Sequence, residues 1–305
     1  MSKYLSSIEM NKLIKQLNRV DCDRVDFNYI KDMMAKLTNG LTMVLQNQGG
    51  VDSMYRVRRF APIKVSNVSE VFSPPSSAVI NYQRCNSPGE PKFYAASTRM
   101  AAIKESRAEV GEIVYLGQWI NHGSYPVNVV LTSQVTQHDF VYEEVEKVLY
   151  PYFDALFTRR IHNTFSNDYK LTAALAQQLM TGVSTEIKGV GKDGLVALKY
   201  PSVANLGSNV HNTVMHPEFA SARMQLMHLI EAEVICVDER ISLKVMDTAT
   251  NFRDGIINWT GNPNNLPLMR DKDGCTLFIN LGGYAGLVTI DHEPEVGYID
   301  KLLME

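Results

Sequence analysis

With 305 residues, 45% of them hydrophobic, the chain can bury a large core as one large domain or two smaller ones. A formal net charge of −3 offers no general attraction to nucleic acid or to anionic membranes, so any phosphate site must be a local basic pocket. No apolar run approaches the roughly 18 residues of a membrane helix, and the start Met1-Ser-Lys-Tyr-Leu-Ser-Ser lacks the apolar block of a signal peptide, which predicts a cytoplasmic protein.

The first predicted element is a helix opened by a capping box from Ser6 to Glu9, with Leu13, Ile14 and Leu17 on one face. A second helix runs from about Asp26 to a stop at Asn39-Gly40. These two helices, residues 1–50, serve as a lid, a dimer surface or simple packing. Gly49-Gly50 breaks the pattern, and Ser53 to Phe60 then alternates as a half-buried strand, with Arg56 and Arg58 on one face and Tyr55, Val57 and Arg59 on the other. Ser73-Pro-Pro-Ser-Ser and Cys85 to Pro91 read as loops, and Phe93-Tyr94-Ala95-Ala96 as a short buried strand.

A helix is predicted from Ser97 or Thr98 to near Gly111, which places Ala101, Glu105 and Ala108 on one small-residue stripe. Glu112 to Ile120 and Val127 to Thr132 read as strands, Tyr142 to Phe165 as an amphipathic helix interrupted near Pro151, and Tyr169 to Met180 as another helix. Strand-like Leu195 to Lys199 leads into Tyr200-Pro-Ser-Val, and a helix is expected around Ala220 to Glu231. Elements that alternate without regular βαβ spacing favour an α+β fold. The boundaries place a central domain at 51–235 and a C-terminal extension at 236–305, packed on the core.

Several patterns carry little. Gly189-Val-Gly-Lys-Asp-Gly satisfies a dinucleotide fingerprint literally, but the next residues, Leu-Val-Ala-Leu-Lys-Tyr, read as a strand, so a hairpin turn is expected. Asp271-Lys-Asp-Gly lacks the remaining ligands of a calcium loop. Ser202 has no flanking glycines of a nucleophile elbow, and His211 and His216 lack the spacing of a zinc protease. Cys22, Cys85, Cys236 and Cys275 are scattered singly and read as reduced thiols.

What remains is a set of groups suited to a phosphorylated ligand and to a cation on its sugar. Guanidinium forks of Arg56 and Arg84 match phosphate oxygens, and the Glu105 carboxylate opposes developing positive charge. Arg84 precedes Asn86 and Gly89, where a turn presents backbone N–H groups beside the guanidinium. The order Arg-x-Asn-x-x-Gly from Arg84, Phe93-Tyr94, Ala-x-x-x-Glu ending at Glu105, and Tyr200-Pro-Ser202 resembles the RES-domain family across residues 51–235. Members paired with a small antitoxin tend to be shorter than this chain.

That resemblance implies a core similar to ADP-ribosyltransferases and an enzyme, glycohydrolase or phosphorylase-like, that cleaves the nicotinamide–ribose bond of NAD and passes ADP-ribose to water, phosphate or a protein side chain. NAD is then substrate, with no further cofactor and no metal. Glu105 would hold the ribose and oppose the cation, Arg56 and Arg84 would hold the pyrophosphate or adjoining ribose, Tyr94 would pack on the nicotinamide side, and Ser202 would orient Glu105 or the ribose. Tyr200 and Asn209 would stand behind them. The resemblance also implies a toxin restrained by an Xre-like antitoxin, and leaves homo-oligomerisation open. A protein ADP-ribosyltransferase and a non-catalytic interaction protein with a degenerate NAD site are the alternative readings.

Overall fold

The computed structural model describes residues 5–39, 41, 45–48, 53–121, 125–129, 144–181, 197–204, 210–237, 241–263, 275–279 and 284–289. Helices α1 (Ser7–Leu17) and α2 (Phe27–Thr38) come first. The capping box at Ser6 forms, with the Ser6 N–H donating to the Glu9 carboxylate at 2.9 Å and Ser6 Oγ accepting from the Glu9 N–H. Asp26 caps α2 by accepting from the Asn28 N–H. Each helix turns one apolar face inward, so Met10, Leu17, Ile30, Met34 and Leu37 are buried together.

After β1 (Leu45–Gln48) and β2 (Ser53–Arg58) the chain forms β3 (Phe93–Ala96), α3 (Arg99–Ser106), β4 (Ile113–Asn121), β5 (Tyr125–Val129), α4 (Glu144–Thr158) and α5 (Lys170–Thr181). The remaining elements are β6 (Ala197–Pro201), β7 (His211–Met215), α6 (Pro217–Arg223), β8 (Met224–Val237), β9 (Ile241–Ala249), β10 (Cys275–Ile279) and β11 (Tyr284–Thr289). The strands make one sheet in the order β1-β5-β6-β7-β3-β2-β4-β8-β9-β11-β10. The pair β5–β6 is parallel, joined by the crossover that carries α4 and α5, and the other pairs are antiparallel. The fold is α+β, and no described helix is long and apolar enough to cross a membrane.

Cross-strand register decides which side chains share a face. Tyr94 pairs with Val214 and Val214 with Leu198; two residues on, Ala96 pairs with Asn212 and Asn212 with Tyr200. These side chains therefore project from one face of the sheet. Helices α1, α2, α4 and α5 cover this face over β6 and β7, burying Leu198, Tyr200 and Val214. Helix α3 covers it further along, where Ala101, Ala102 and Ile103 pack with Tyr55, Leu116 and Ile230. On the opposite face Phe93 and Trp119 meet edge-on with ring centroids 5.2 Å apart, beside Met54 and Leu226.

Four expectations need correction. The helix expected around Ala220 to Glu231 is only the short α6, after which the chain becomes the 14-residue strand β8. Burial alternates along the start of β8, and only residues 228–232 are buried in succession, where β4 and β9 flank the strand on either side. The helix carrying Glu105 ends at a left-handed Arg107 rather than near Gly111, so Ala108 lies beyond it. The helix expected over Tyr142 to Phe165 ends at Thr158 and continues through Pro151, and a 3-10 stretch spans Asn163–Tyr169. The expected boundary at 235–236 falls inside β8, and β9 pairs with that strand. The Gly49-Gly50 break, the Gly189 to Gly194 turn and Asp271 to Gly274 lie outside the described residues.

Candidate active site

Between α3 and the α4–α5 layer the sheet is open, and a cleft of about 810 Å³ lies there. Tyr55, Tyr82, Tyr94, Tyr169 and Tyr200 line it together with seven cationic side chains, Arg56, Arg59, Arg84, Lys92, Lys104, Arg107 and Arg160. Among the described lining residues Glu105 is the single carboxylate.

Glu105 is placed by a chain of local causes. Thr98 caps α3 by accepting from the Ala101 N–H at 3.1 Å, and the alanines of the first turns let the helix lie close to the sheet. Glu105 then projects from the last turn toward β6 and β7. Its Oε1 accepts from Ser202 Oγ at 2.6 Å, from Asn212 Nδ2 at 3.0 Å and from the Ala204 N–H at 3.2 Å. Oε2 has no hydrogen-bond partner among the described residues. One oxygen is thus held by the protein and the other is left to whatever enters the cleft.

Ser202 is fully buried behind Glu105. Tyr94 is fixed at its hydroxyl, which donates to Asn86 Oδ1 at 2.6 Å and accepts from the Cys85 N–H at 3.0 Å. Burial pushes its phenol well above the ordinary tyrosine range, and the same cause acts on Tyr200, whose ring packs 5.3 Å from that of Phe157. Both therefore stay neutral and present their rings as cleft wall. Asn209 lies outside the described residues.

The two arginines singled out in the sequence are held differently from Glu105. Alternation along β2 sends Arg56 to the face opposite Tyr55, and it borders the cleft where β2 and β3 pair at one position only. Its guanidinium lies over Phe93, donating from Nε to the Phe72 and Val71 carbonyls at 3.1 and 3.3 Å and from Nη1 to the Tyr94 carbonyl at 2.8 Å. Burial, aided by neighbouring Arg58, lowers it to about 10, so it keeps its charge at neutral pH. Arg84 donates to the Phe157 and Arg159 carbonyls at 2.6 and 3.2 Å and lies over the Tyr169 ring. Both guanidiniums brace backbone from the wall of the cleft.

No protein-family model, curated protein or solved structure matches this chain.

The chemistry of the cleft follows from its own side chains. Asn212 is a partner of Glu105 that the sequence reading passes over, although an asparagine in a strand is unusual enough to signal a polar task. Of the further cations, Arg59 is neutralised by Glu112 through bonds of 2.6 and 2.9 Å. Lys92 meets His216 Nδ1 at 3.0 Å, where burial and the ammonium lower the imidazole to about 4 and keep it neutral. Among the described residues no cluster of three or more metal-ligating side chains forms.

Proposed function

We propose that the chain is a RES-type enzyme with a core similar to ADP-ribosyltransferases, which binds NAD in this cleft and breaks its nicotinamide–ribose bond. The observation that carries the reading is the divided Glu105 carboxylate, with one oxygen fixed by three donors and the other without a partner among the described residues, in a cleft whose lining includes seven cations and five tyrosines. A cleft of this size suits a dinucleotide, and its positive lining suits the pyrophosphate. Glu105 Oε2 would accept from the ribose hydroxyls and face the positive charge that develops on the sugar ring.

In the reaction the bond from the anomeric carbon to the pyridinium nitrogen breaks, and its electrons go to the ring, which departs as neutral nicotinamide. The ribosyl cation left behind is stabilised by the fixed carboxylate and then takes an oxygen nucleophile. With water as acceptor one proton is released and the product is ADP-ribose. A carboxylate held in place before the reaction needs no reorganisation as the charge appears, which is where most such rate enhancement arises. Tyr94 and Tyr200 wall the site and limit access of bulk water.

The test is release of nicotinamide from NAD by the purified full-length chain. Steady release that stops in Glu105→Gln is expected; no release and no NAD binding would remove the reading. Labelled NAD, with and without added protein, identifies the acceptor: soluble ADP-ribose means water, and label on protein means transfer.

A further inference from the structure

Just past the end of β2 the chain passes through a strained residue beside the cleft. Phe60 has a φ of 57°, a left-handed conformation that is costly for a bulky side chain. Extended backbone continued from β2 would turn Phe60 to the sheet face opposite Arg59. Its ring instead lies on the Arg59 guanidinium, 4.2 Å from centroid to carbon. An exposed cation–π contact returns no more than that backbone costs, so the contact alone does not account for the strain.

Arg59 is itself held in place. Its fork binds both Glu112 oxygens, at 2.6 and 2.9 Å, and its Nη1 donates to the Ser106 carbonyl at 2.7 Å. Ser106 follows Glu105 in the last turn of α3, and Arg59, Glu105 and Ser106 all line the cleft. The Phe60 ring therefore stands two contacts away from the helix end that presents the carboxylate. The guanidinium closes one ring face, and with 70% of the residue exposed the other is open. A fixed aromatic ring with one open face suits a flat heteroaromatic base, since every base offers a π-face for stacking. Glu112 offsets the Arg59 charge, so this corner attracts a neutral ring rather than an anion.

We propose that Phe60, backed by Arg59, is a stacking platform for a purine base, the adenine of the dinucleotide whose ribose Glu105 holds. The dinucleotide assignment rests on the NAD-consuming reading; the platform itself does not. The full chain is titrated with AMP by calorimetry, alongside Phe60→Ala and Phe60→Tyr, with thermal melting as the control for folding and ribose 5-phosphate as the ligand without a base. Wild type is expected to bind AMP, Phe60→Ala to bind it at least about fivefold more weakly, and Phe60→Tyr, which keeps the ring, to match wild type. Ribose 5-phosphate should not distinguish the three proteins. No AMP binding by wild type, equal AMP affinity in folded Phe60→Ala, or an equal loss for ribose 5-phosphate overturns the platform.

The second arm measures nicotinamide release from NAD and from nicotinamide mononucleotide, which lacks the adenine. In Phe60→Ala, KM for NAD should rise at least about fivefold with kcat little changed, while the mononucleotide is handled as by wild type. An unchanged KM for NAD overturns the assignment to the dinucleotide's adenine. If neither substrate releases nicotinamide, the NAD reading fails and the AMP titration alone decides the platform.

Discussion

Glu105 divides its oxygens between the protein and the cleft, and the two halves of that arrangement can be removed separately. Glu105→Gln keeps the size and removes the charge facing the sugar, so nicotinamide release should fall by roughly a hundredfold or more while the melting temperature changes little. Unchanged release from the folded variant would take Glu105 out of the mechanism. Asn212→Ala leaves the charge and deletes one of three donors to Oε1, so the carboxylate loses part of its orientation. The expected result is a kcat lower by about tenfold with KM nearly unchanged, and a rise in KM at constant kcat would instead make Asn212 a binding group.

Among the elements, the sheet under α3 is the frame that holds this geometry, and on the face away from α3 the backbone at Gly117 of β4 is closely covered by side chains. A Cβ there would meet Trp119 Nε1 at 2.9 Å and Leu226 Cδ1 at 3.1 Å. The register of β4 on β8 shifts just beyond, between Gln118 and Trp119, so β4 is already irregular where the indole crosses it. Gly117→Val should therefore destabilise by about 1–3 kcal/mol through overpacking, despite valine's preference for strands. Chemical denaturation would show it as a lower midpoint at constant slope, and a midpoint equal to that of wild type would mean the indole moves aside freely.

Across the molecule as a whole, the first two helices belong to the core that buries Leu198 and Val214 of the sheet. None of their described residues lines the cleft. Removing residues 1–50 should expose Leu149, Phe153 and Leu175 and give a protein that aggregates or melts without cooperativity, as scattering and calorimetry would reveal. A soluble, cooperatively folded truncation that consumes NAD faster than the parent would instead make these helices an inhibitory lid.

Stability should also fall in mild acid. Burial, and then Arg99, lower His228 to about 3, while burial and Lys92 lower His216 to about 4, against an ordinary value near 6.5. In the unfolded chain both imidazoles take up protons once pH drops below about 6.5, whereas the folded protein resists until pH 3 to 4. Stability present above pH 6.5 is therefore lost progressively over that window. His228→Gln should show a shallower fall in melting temperature between pH 6.5 and 4, and parallel curves would assign the acid sensitivity elsewhere.

Short-range physics is legible in the amino-acid order alone. The Ser6–Glu9 box, the Asp26 cap, the Thr98 cap, the alternation of β2 and the helical setting of Glu105 each depend on residues a few positions apart, so they can be read without the fold. Long-range pairing is not legible in that way. Ser202 and Asn212 reach Glu105 across 97 and 107 residues, and β8 is a strand because β4 and β9 take up its backbone groups on either side. Arg56 and Arg84 bind carbonyls of a turn, of strand β3 and of a helix end, which no local pattern places beside them. Hydrogen-bond geometry and burial are properties of assembled neighbours, and for this chain those neighbours come from distant parts of the sequence.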